Sequence, residues 1–78
     1  MAEATAKFRY CTECLVAGTN LDRQKIRGIV ESMGDSVIVA GSSRQARIHM
    51  HTDEPGKVFN DLSAYGEIRQ QKVEDMVR

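Results

Sequence analysis

Apolar residues along this chain recur at every second position in some stretches and at every third or fourth in others, and the two kinds of stretch interleave. From Phe8 to Val16 the spacing is two. Phe8, Tyr10, Thr12, Cys14 and Val16 fall on one face of an extended segment, and Arg9, Cys11, Glu13 and Leu15 fall on the other. Aromatic and β-branched side chains suit a pleated surface, so this is a predicted strand. Ala17 to Asn20 reads as a turn, after which Asp22 is placed to cap a helix, with Leu21 and Ile26 forming a hydrophobic staple around the cap. The helix is predicted over Arg23 to Met33. Ile26, Ile29, Val30 and Met33 make its apolar stripe, and Gly34 is expected to end it in the left-handed conformation.

The second half repeats the scheme. Ser36 to Ala40 is a short apolar strand, Gly41 to Arg44 a hairpin loop, and Gln45 to Thr52 a strand in which Ile48 and Met50 alternate with His49 and His51. Asp53-Glu54-Pro55-Gly56 then opens a second helix. Asp53 or Thr52 is the expected cap, and the proline sits where its missing N–H does no harm. Val58, Leu62 and Tyr65 form one stripe with Phe59 beside it, and Gly66 is the expected stop. From Glu67 to Val73 a more polar strand is predicted. Ile68 and Val73 have opposite parity, which implies a bulge or an edge position. Strand, helix, strand, strand, helix, strand is the order of an α+β, ferredoxin-like βαββαβ two-layer sandwich. Its four-stranded antiparallel or mixed sheet carries both helices on one face.

Size and charge narrow the function. The chain has 78 residues, so residues 8–78 are expected to form one domain behind a disordered lead-in over residues 1–7. A chain of this length buries only about 60–65% of its unfolded surface, which favours self-association or membership of a larger protein. Eleven basic residues balance eleven acidic ones, which removes the electrostatic footprint of a nucleic-acid binder. No apolar run approaches the roughly 18 residues of a membrane span, and the first residues lack the apolar core of a signal peptide. A cytoplasmic location is expected.

Both histidines of the chain lie at His49 and His51, on one face of a predicted strand, about 6–7 Å apart at Cα. In the ferredoxin-like order the first and third strands are neighbours at the centre of the sheet. Ile48 and Met50 go under the helices, so the imidazoles look out from the uncovered face. The same parity argument puts Tyr10, Thr12, Cys14 and Val16 under the helices and leaves Cys11 outside, one strand from the histidines. Strands lie about 4.8 Å apart, so a thiolate and two imidazoles can meet around one ion. Cys11, His49 and His51 suit zinc, with Glu13, Asp53, water or a partner's group as fourth ligand. A Cys11–Cys14 redox pair is disfavoured because side chains three apart on a strand face opposite ways. An RNA-binding sheet is disfavoured because this face offers no stacking aromatics. The helix start near Asp53 to Lys57 could hold an anion, but a capped helix explains it more simply.

The wording of the sequence adds a resemblance. Tyr10-Cys11-Thr12-Glu13, Gly34-Asp35-Ser36, His49-Met50-His51-Thr52-Asp53-Glu54-Pro55-Gly56-Lys57-Val58, Tyr65-Gly66-Glu67 and Lys72-Val73-Glu74-Asp75-Met76 together resemble the middle domain of bacterial fatty-acid kinases. In that family a dihydroxyacetone-kinase-like ATP domain precedes the middle domain, and a similar module occurs in fusions to a DegV-type fatty-acid-binding domain. The resemblance implies a metal-binding cysteine and histidine pair, which fall on Cys11, His49 and His51. Cys14 departs from it, standing where the family usually has a large apolar residue. It further implies a non-catalytic zinc-binding and docking or dimerisation domain, with a kinase-like domain in the same chain and a DegV-type protein as partners. The isolated chain has no Gly-rich phosphate loop and no Walker-like lysine motif, so it is not expected to phosphorylate anything alone. Two alternatives stand beside this reading: a structural assembly domain without metal, and an enzyme using Cys11 as nucleophile with His49 or His51 as base.

Overall fold

The computed structural model describes residues 7–77. Apart from Lys7, the expected lead-in lies outside the described residues. The elements are β1 (Tyr10–Ala17), α1 (Arg23–Glu31), β2 (Gly34–Gly41), β3 (Gln45–Thr52), α2 (Pro55–Leu62) and β4 (Glu67–Asp75). They form one sheet in the order β2-β3-β1-β4, antiparallel throughout, so the mixed alternative does not apply. This is the ferredoxin-like βαββαβ arrangement expected from the element order.

The parity of the two central strands is the predicted one. Thr12, Cys14 and Val16 of β1 and Ala46, Ile48, Met50 and Thr52 of β3 are buried on the helix side. They pack with Ile26 and Val30 of α1 and Val58 and Leu62 of α2 into one core. Leu15 faces the other way yet is also buried, between Arg47 and Arg69, which pair with it from the flanking strands. The stems of such long side chains can cover an apolar neighbour while their heads stay wet.

Helix ends and edge strands depart from the expectation. Asp22 does cap α1, accepting a hydrogen bond from the Lys25 N–H at 3.1 Å. The helix, however, stops at Glu31, with Ser32 as C-cap in the right-handed region. Gly34 is therefore no left-handed stop: it opens β2 opposite Thr52, where a side-chain carbon would collide with the His51 carbonyl oxygen. Gly66 serves in the same way beside the Ala17 carbonyl. The cap of α2 differs too. Glu54 occupies the N-cap position and makes no side-chain cap bond, while Pro55 opens the helix. Thr52 instead donates its hydroxyl proton to the Met33 carbonyl at 2.8 Å and accepts from the Glu54 N–H at 3.1 Å, tying the ends of both helices to β3.

The bulge implied by Ile68 and Val73 is present. The β1–β4 register shifts between Glu13 and Leu15, with Gln70 at φ 53°, so both apolar residues of β4 face the helix side at Val16 and Thr12. A second bulge, which parity did not reveal, shifts β2 against β3 between Asp35 and Ile38, with Ser36 at φ 55°.

Candidate metal centre

The site is a two-by-two block on the uncovered face of the central strand pair. Cys11 stands opposite His51, and Glu13 opposite His49. Residues directly opposite on antiparallel strands have Cβ atoms only about 4.5–5.5 Å apart, so the side chains at the four corners are in reach of one another. One ligand atom each from Cys11, His49 and His51 lies within 4.8 Å of the others. All three side chains are half-buried. The imidazole rings meet edge-on, centroids 5.4 Å apart and planes at 62°.

His49 is the hub of the block. Its Nδ1 lies 3.1 Å from Glu13 Oε2 and 4.0 Å from Cys11 Sγ. A carboxylate and a thiol thus approach the same ring nitrogen. Two donors bound to one zinc at about 2.0–2.3 Å stand roughly 3.3–3.5 Å apart in tetrahedral geometry, close to both separations. A metal replacing the Nδ1 proton would sit among them.

At His49 this geometry is unlike that of a thiol nucleophile with its base. Such a pair needs one imidazole nitrogen for the thiol and the other for an orienting group, whereas Glu13 and Cys11 compete for one nitrogen. Burial, then the nearby carboxylates of Glu13 and Glu74, push the Cys11 thiol pKa up, and Lys72 only partly opposes them. A raised pKa disfavours the free thiolate; a bound metal overrides that by taking the proton's place. The hydrogen bond from His49 holds the Glu13 carboxyl below its ordinary range. Cys14 lies beneath the helices, and burial raises its pKa to about 11, which leaves an inert thiol.

Of the two protein groups named as a fourth ligand, Glu13 lies at the block and Asp53 at the end of β3, where its Oδ1 accepts the Arg9 N–H at 2.8 Å. Two further carboxylates border the block. Asp35 pairs with His51 from β2, and Glu74 pairs with Cys11 from β4. Only the cross-strand register, which two bulges shift, could have found them. The helix start near Asp53 borders a cleft of about 430 Å³ lined by Phe8, Met33, Asp53, Glu54 and Lys57. Lys57 is paired there with Asp61 at 3.0 Å, so the two acids outweigh any pull on an anion. Among the described residues no helix is long and apolar enough to cross a membrane.

A family model for the FakA-like middle domain of fatty acid kinase matches residues 7–78. Uncharacterized proteins of Staphylococcus aureus strains USA300, NCTC 8325 and COL are each 41% identical over 73 residues, covering 88% of this chain. The match spans only 13% of the length of those relatives.

Proposed function

Because the chain belongs to the FakA-like family of fatty acid kinase middle domains, we propose that it is a non-catalytic, zinc-binding docking or dimerisation domain of a larger, cytoplasmic fatty-acid-kinase-like protein. The observation that carries the zinc assignment is the convergence of Cys11, His49 and His51 ligand atoms within 4.8 Å on one face. One thiolate and two imidazoles form a donor set that zinc prefers over the hard cations calcium and magnesium. Glu13, at the fourth corner of the block and 3.1 Å from His49 Nδ1, is the nearest protein group for the fourth position that a closed structural zinc site requires. The metal then clamps β1 to β3 from the side that the helices leave bare.

ATP binding and phosphoryl transfer fall to parts of the parent protein beyond this domain, consistent with the small share of the relatives that it spans. Its partners are a kinase-like domain of the same chain, a DegV-type fatty-acid-binding protein or domain, and a second copy. Metal analysis of protein purified without a histidine tag tests the site. One zinc per chain is expected, lost in both Cys11→Ala and His49→Ala, with Glu13→Gln weakening affinity. Unsubstituted protein that takes up no zinc from a stoichiometric solution rejects the assignment. Titration of the parent protein with a DegV-type partner, with and without chelator, tests the docking role; equal affinity in both separates docking from the metal.

A further inference from the structure

The two outer edges of the sheet are treated differently. An edge strand presents unpaired N–H and C=O groups, and an identical strand from another copy pairs with them across a two-fold axis. β4 blunts its edge with charged side chains and the Gln70 bulge. β2 has its own bulge at Ser36, but beyond it the strand carries no charged side chain: Val37, Ile38 and Val39 run in sequence, and Ile38 is 57% exposed.

Protection for β2 comes from α1. The Arg23 guanidinium donates to the Gly41 carbonyl at 2.7 Å, and that of Arg27 to the Val39 carbonyl at 3.3 Å. In an antiparallel ladder the N–H and C=O of one residue point to the same neighbour, so these carbonyls, turned to the helix, are the ones β3 does not use. The spacing matches. Four residues on a helix rise about 6.0 Å and two on a strand about 6.6 Å, so consecutive helical turns meet successive outward carbonyls. Arg27 is further held by Glu31, at 3.8 Å one turn on.

We propose that Arg23 and Arg27 seal the outer edge of β2 against antiparallel strand addition by a second copy of this chain. Any self-association of the unsubstituted protein therefore uses another surface. The test is the association constant of Arg23→Ala/Arg27→Ala, by analytical ultracentrifugation in chelator and reductant so that the Cys11 block plays no part. Association at least tenfold tighter than in unsubstituted protein is expected, with the Val39 amide becoming protected from hydrogen exchange as concentration rises. Unchanged association overturns the proposal, as does tighter association that leaves the Val39 amide exchanging freely. Arg27→Ala alone, which keeps Arg23 on Gly41, should lie between the two; it carries the test if circular dichroism shows the double variant unfolded.

Discussion

The two faces of the central strands do opposite things with alternate residues of one sequence. Toward the helices, β1 and β3 offer Cys14, Val16, Ile48 and Met50, none more than 1% exposed. Away from them the same strands offer Cys11, Glu13, His49 and His51, all half-buried, with the His49 ring meeting each of the other three. Three positions separate a thiol buried in the core from one placed beside two imidazoles. What decides between them is the side of the sheet, since both are cysteines on one strand.

The comparison can be broken most forcefully at the core. Ile48→Ala leaves a cavity that the helices cannot fill and should cost about 2–5 kcal/mol in urea unfolding. On the other face metal should dominate. Zinc at 100 times its dissociation constant should stabilise the protein by about 2.7 kcal/mol, and Cys11→Ala should remove that gain. A smaller effect separates the two thiols by pH. Burial raises Cys14 from 9.0 to about 11, so its contribution is fully present below pH 9 and is lost as pH rises through 11. By pH 10 the loss should be on the order of 1 kcal/mol, and it should be absent in Cys14→Val, by urea midpoints compared across pH. The smallest effect should be that of His49→Ala in chelator, under about 1 kcal/mol by the same unfolding assay, because a half-exposed side chain leaves little cavity.

Much of this was legible in the chain. Alternation from Tyr10 to Val16 and from Gln45 to Thr52 carried the core and the exposed trio, because side-chain direction along a strand is a local property with a period of two. The resemblance to fatty-acid-kinase middle domains, borne on the Tyr-Cys-Thr-Glu and His-x-His-Thr-Asp motifs, agrees with the family that the chain matches over residues 7–78. The glycines misled. Gly34 and Gly66 read as left-handed helix stops, yet they are needed because a neighbouring strand's carbonyl comes too close for a side chain. No local pattern distinguishes those two reasons for a glycine. Asp53 likewise reads as a cap, whereas its carboxylate is taken by the Arg9 N–H, 44 residues away in sequence.

The sequence by itself determined the order of elements, the side on which each central residue stands, and the chemical identity of a thiol and two imidazoles on the bare side. Those follow from periodicity, which neighbouring residues set among themselves. Only the tertiary structure decided the register that sets Glu13 against His49 and brings Asp35 and Glu74 alongside, the bulges that shift both edges, and the two arginines that close β2. These depend on which residue of one strand or helix meets which of another, and hydrogen bonding between distant segments settles that after the local pattern has been satisfied.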